Sequence, residues 1–217
     1  MAVITVVALA SWIAILAGFD GDGLGIVGFV AGWTVMMVAM MLPSTMPLIL
    51  LYRRGATPSA TVRLVAGYLA VWGTVGIAAW VIHIVSVENI ADMDNMAGMD
   101  NIAAANIPAI VVLLAAGIYQ LTPMKQACLR RCRTPADFLV ERWRTNAFVL
   151  GADHGRYCLG CCWALMTVLV VAGMMGIIWV MAIAAIVAVE KMSRPGARLA
   201  RWIGIALIAF AIFKTFA

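Results

Sequence analysis

Charge is scarce in this sequence. Asp, Glu, Lys and Arg make up 12% of its 217 residues, against 65% hydrophobic residues and a mean hydropathy of +1.03. A water-soluble domain needs more polar surface than this composition supplies, so a soluble fold is excluded and an integral membrane protein is expected. Residues 159–189 carry no charge at all. Nucleotide-binding motifs and the CxxCH haem attachment are missing, and no acid/base pair falls inside an apolar block, which leaves no signature of an enzyme. The first apolar block lacks the basic flank and cleavage pattern of a signal peptide, so it reads as a first helix.

What is present is a series of apolar blocks at 1–19, 29–52, 62–87, 107–124, 158–173, 177–189 and 199–216. A bilayer core takes about 20 helical residues to cross, and helices must do the crossing because lipid offers the backbone no partner. The expected fold is all-α, a polytopic membrane helix bundle of about seven transmembrane helices with its N-terminus inside. The fifth and sixth helices divide at Gly173-Met174-Met175-Gly176, where paired glycines weaken the helix. Basic residues support this orientation. Arg53, Arg54 and Arg63, then Lys125 through Arg156, then Lys191 through Arg201 fall on the inner side, while Asp20, Asp22, Glu88, Asp92, Asp94 and Asp100 fall outside. The chain reads as one integral membrane domain over 1–217, with an outer Met/Asp-rich loop at 88–106 and an inner basic, Cys-containing loop at 125–157. A bacterial inner membrane is the expected location. The net charge of +5 comes from the inner segments and is explained by anionic lipid, without a nucleic acid partner.

The outer segments also lack cysteine. Cys128, Cys132, Cys158, Cys161 and Cys162 all fall on the inner side or at its boundary, where a reducing compartment disfavours disulfides and favours thiol chemistry or metal ligation. In HGRYCLGCCWALM (154–166), a helix places His154, Cys158 and Cys162 at i, i+4 and i+8, with Cys161 three residues after Cys158. Thiolates with an imidazole suit Cu(I) or Zn(II) and exclude hard ions. The bland alternative is cysteine as a small hydrophobe near a helix end, and it is the favoured reading for Cys128 and Cys132 taken alone.

Methionine is abundant, with 15 residues. MMVAMMLPSTMP sets Met36 and Met40 on one face and Met37 and Met41 on the next, and Pro43 and Pro47 are expected to kink the helix and free carbonyls toward the bundle. Core filling and a soft-metal path are both consistent with that pattern. Met93, Met96 and Met99 recur every third residue of the outer loop, among carboxylates that concentrate cations. They read either as capture ligands for Cu(I) or as the lipid face of an interfacial helix. Glu190 is expected to pair with its neighbour Lys191 or to reach water. Gly67, Gly73 and Gly76 suit close contact with a partner helix.

Together, MMVAMMLPSTMP, HGRYCLGCCWALM, GMMGIIWVMA, Glu190-Lys191 and a final Arg-Trp-Ile-Gly helix resemble the bacterial predicted metal-binding integral membrane proteins, over about 28–217. The resemblance implies a multi-helix membrane protein with a metal site at positions matching Met36, Met37, Met40, Met41, His154, Cys158, Cys161 and Cys162, and it implies no established reaction. The expected function is Cu(I) transport or delivery through outer Met, intramembrane Met and inner Cys/His sites. The alternative is a non-transporting subunit or assembly factor with a structural metal site, working with membrane partner subunits or a metal-receiving protein.

Overall fold

The computed structural model describes residues 2–17, 25–96, 102–143, 145–171, 177–193 and 195–216. All of the regular structure among them is helical: α1 (Ala2–Leu16), α2 (Gly25–Arg53), α3 (Pro58–Met96), α4 (Ile102–Leu121), α5 (Pro123–Arg133), α6 (Pro135–Arg142), α7 (Ala147–Val171), α8 (Ile177–Met192) and α9 (Gly196–Phe216). One helix covers most of the described residues of each apolar block, the block at 107–124 running on into the start of α5. The proposed division point, 173–176, lies outside the described residues. Among the described residues, three helical segments are long and apolar enough to cross a membrane: Gly25–Arg53, Pro58–Ile82 and Gly196–Thr215. That is compatible with a membrane protein, as are the many exposed Val, Ile, Leu and Phe side chains on α1, α3 and α9.

The basic segment 125–157 is helical through most of its length, forming α5, α6 and the first turns of α7. Its helix starts are written locally. Pro123 occupies the first turn of α5, where its missing N–H costs nothing, and the Thr122 hydroxyl accepts from Lys125 N. The Asn146 carboxamide oxygen does the same for Phe148 N at the start of α7.

Two helix crossings are made by glycine. On α3 and α7, a Cβ at Gly67 would lie 2.0 Å from the Phe148 carbonyl oxygen, and one at Gly151 would lie 1.9 Å from that of Leu64. On α4 and α9, a Cβ at Gly117 or Gly204 would lie 2.9 Å from the other's carbonyl oxygen. Small residues at a crossing let the two backbones touch, and that close approach supplies packing energy. Gly67 is therefore spent inside the chain, and Gly76 faces the Trp33 ring. Of the three glycines expected to meet a partner, Gly73 alone has open space beside it.

The proline segment of α2 also departs from expectation. Pro43 deprives the Ala39 carbonyl of its helical donor, but that oxygen is not left free: Trp12 Nε1 on α1 donates to it at 3.1 Å. Ser44 and Thr45 hydroxyls donate to the Met41 and Leu42 carbonyls at 2.8 Å each. A neighbouring helix can satisfy such a freed group, and α1 does so here.

Gly151→Val is expected to destabilise the detergent-solubilised protein by about 1–3 kcal/mol or more, through overpacking of the α3–α7 crossing. Gly73→Ala, with nothing within 4 Å, leaves the tryptophan-fluorescence unfolding midpoint unchanged. Equal midpoints for the two variants would show that the crossing is not held this tightly.

Candidate metal centre

The sulfur-bearing residues meet where α5 lies across α7. Cys158, Cys161 and Cys162 occupy little more than one turn of α7 and are fully buried, and the Cys161 and Cys162 thiols both donate to the Cys158 carbonyl, at 3.0 and 2.9 Å. Gly160 faces α5. A Cβ there would stand 2.7 Å from Cys128 Sγ, so glycine is what lets that thiol reach α7. One helical turn along α5, Cys132 Sγ lies 3.8 Å from Cys161 Sγ. Tyr119 on α4 donates its hydroxyl to the Gly160 carbonyl and stacks edge-on against Trp163, fixing this turn from the other side.

Cys128 and Cys132, taken alone, read as packing residues in the sequence. The structure sets both against the α7 cysteines. What could have found them was their i, i+4 spacing beside a basic run; what hid them was that 25 or more residues separate them from their partners. Both are partly exposed, unlike the three on α7. The hydrogen bond with Cys161, then burial, pushes the Cys132 thiol well above its ordinary range, and burial raises Cys128.

Cys132 and Cys161, with sulfurs 3.8 Å apart, are the pair that would hold a soft ion. Among the described residues no group of three His, Cys, Asp or Glu side chains is placed to hold an ion. Structural zinc takes four donors. A pair of converging thiols fits an ion content with fewer, softer ligands.

Around the thiols lies a buried polar layer. Lys125 on α5 pairs with Glu190 on α8 at 2.7 Å, both side chains being 2% exposed or less, and Gln120 Nε2 donates to the other carboxylate oxygen at 3.0 Å. Glu190 thus neither pairs with Lys191 nor reaches water, as its position beside that lysine had suggested. Lys191 turns elsewhere. Its Nζ donates to Cys158 Sγ at 2.9 Å and to Met41 Sδ at 3.5 Å, while the Tyr68 hydroxyl shares a hydrogen bond with the same Cys158 sulfur at 3.1 Å.

The remaining expected ligands divide. Met41 joins the sulfur cluster through Lys191. Met36, Met37 and Met40 are buried in the core that contains Cys158. His154 is buried, but its ring rests against Phe138 and Tyr68, at centroid distances of 5.4 and 6.1 Å. Its Nδ1 has no hydrogen-bond partner, and it lines a cavity of about 10 Å³ with Thr45, Tyr68 and Gly151. That space takes about one water. Met93 and Met96 fall on the last turns of α3, with side chains outside the described residues, and Met99 lies wholly outside them. Asp153 is engaged by Arg142, with Arg156 3.5 Å from its other oxygen.

Removing one member of the buried pair leaves an uncompensated charge. Glu190→Leu is expected to cost about 3–5 kcal/mol of stability, and adding Lys125→Met is expected to recover much of that. Chemical unfolding of the two variants checks it; a double variant no more stable than the single one would deny that the two charges are coupled.

No curated protein and no solved structure matches the chain. The sequence model of a copper chaperone family, PpoB2, matches residues 30–214, a span that holds the thiol cluster, the α2 methionines and Lys191. With most of its length matched, and its cysteines gathered where α5 crosses α7, the chain belongs to the PpoB2 copper chaperone family.

Proposed function

We propose that the protein is an integral membrane copper chaperone that holds Cu(I) between α5 and α7 and gives it up to a partner at the inner face of the membrane. The observation that carries this reading is the approach of Cys132 to Cys161, two thiols from different helices 3.8 Å apart. A copper donor needs soft ligands strong enough to hold the ion and a way to release it. Thiolates on α7 are shut away, while Cys128 and Cys132 on α5 are partly exposed. Ligand exchange can therefore run from the buried sulfurs outward along α5. The surface around that exit is basic, with Arg130, Arg131 and Arg133 in the last turn of α5, and suits an acidic receiving protein.

In this reading the chain is one membrane domain of seven spans with its N-terminus inside, in a bacterial inner membrane. Helices α5 and α6 then lie on the inner surface. Met93, Met96 and Met99 form an outer capture segment within 88–106. His154 stands behind Cys158 and, with its ring held by Phe138 and Tyr68, serves the site by position or as a late ligand. Cu(I) is favoured over Zn(II) because the converging donors are sulfurs and few.

A second reading, movement of Cu(I) inward along α2, is favoured by the burial of Met36, Met37, Met40 and Met41 in the same packed cluster as Cys158.

Purified protein loaded anaerobically with Cu(I) is expected to lose most of its bound copper in a Cys132→Ser/Cys161→Ser variant that keeps its unfolding midpoint. Equal metal content by elemental analysis would remove the thiol site. For the inward path, Met40→Leu/Met41→Leu is expected to abolish copper uptake into proteoliposomes; uptake at the wild-type rate leaves holding and hand-off as the whole function.

A further inference from the structure

We infer that Lys191 is a specificity-determining residue: its fixed positive charge beside the Cys158 sulfur makes the thiol site favour a monovalent soft cation over a divalent one. The inference deepens the copper-holding reading and rests on it.

Lys191 is 7% exposed, and the partners of its Nζ are both sulfurs, Cys158 Sγ at 2.9 Å and Met41 Sδ at 3.5 Å. Among the described residues no carboxylate stands within ion-pair distance of it. Its chain neighbour Glu190 is already neutralised by Lys125 and bonded to Gln120. The other polar group at the Cys158 sulfur is the Tyr68 hydroxyl, which brings no charge of its own. A buried ammonium in such surroundings is costly unless negative charge forms next to it. Metal-bound thiolates supply that charge.

The count then depends on the ion. A monovalent cation held by two thiolates leaves one net negative charge, which the lysine cancels. A divalent cation held by the same two is already neutral, so the lysine stays unbalanced in a low-dielectric interior. A third thiolate would restore balance for the divalent ion, but among the described residues no three donors are placed to close on one ion. Lys191 Nζ lies against Cys158 Sγ, one turn of α7 before Cys161, so its charge acts on the Cys132–Cys161 pair at short range, where this difference outweighs modest differences in sulfur affinity.

The test is competition between Ag(I), a monovalent ion that does not change oxidation state, and Cd(II), a divalent thiophile, on the full-length protein in detergent. Lys191→Met is expected to lower the Ag(I)-over-Cd(II) affinity ratio by about tenfold or more, and Lys191→Arg to keep it near the wild-type value. A ratio unchanged in Lys191→Met overturns the inference, as does an equal loss of both affinities, which is what a merely structural lysine would give. If Lys191→Met does not fold, Lys191→Gln is read in its place by the same ratio. Failure of the wild-type protein to bind Ag(I) at all would instead overturn the copper-holding reading.

Discussion

The ion pair between Lys125 and Glu190 governs how the end of the bundle that carries the thiols is arranged. It joins α5 to α8, and Gln120 adds α4, so two consecutive helices and one far along the chain are fixed to one carboxylate. Successive residues on a helix point about 100° apart. With Glu190 committed to α4 and α5, Lys191 is turned toward α2, α3 and α7, where Met41, Tyr68 and Cys158 receive it. Two adjacent charges that look like a simple local pair are therefore two separate anchors. One holds the helices together. The other places a cation beside the thiols.

The sulfur cluster depends on a second constraint, the absence of side chains. Gly160 has no Cβ, and Cys128 uses the space; Gly67 and Gly151 have none, and α3 and α7 come into backbone contact. That contact brings Tyr68 to Cys158 and seats the His154 ring between Tyr68 and Phe138. Chemistry and packing are consequently inseparable at this site. The same turn of α7 that carries three cysteines also carries the glycine that admits a fourth.

Several backbone and side-chain polar groups away from the thiols are satisfied by neighbouring parts of the chain. The Ala39 carbonyl released by Pro43 is taken by Trp12, the α2 hydroxyls bond back to their own helix, and Arg133 donates to the Ser193 carbonyl at 2.7 Å. These groups find partners within the chain, whereas Trp33 Nε1, Gln126 Nε2 and Ser193 Oγ are buried without a hydrogen-bond partner among the described residues. The Pro43 position of α2 is thus a docking point for α1, where the sequence pattern had suggested an open carbonyl.

Much of the fold was legible in the sequence, because a helix is specified by its own residues: apolar blocks, Pro at first turns, Thr and Asn caps. The grouping of Cys158, Cys161 and Cys162 was legible for the same reason, since they lie within little more than one turn. The amino-acid sequence alone determined that the chain is helical, apolar and rich in soft donors confined to a few segments. Tertiary structure decided which donors meet: Cys132 with Cys161, Lys191 with Cys158 and Met41, and His154 with aromatic rings in place of sulfur. The physical reason is that side-chain spacing along one helix is set by covalent geometry, whereas contact between helices depends on where glycines and buried charges allow them to cross.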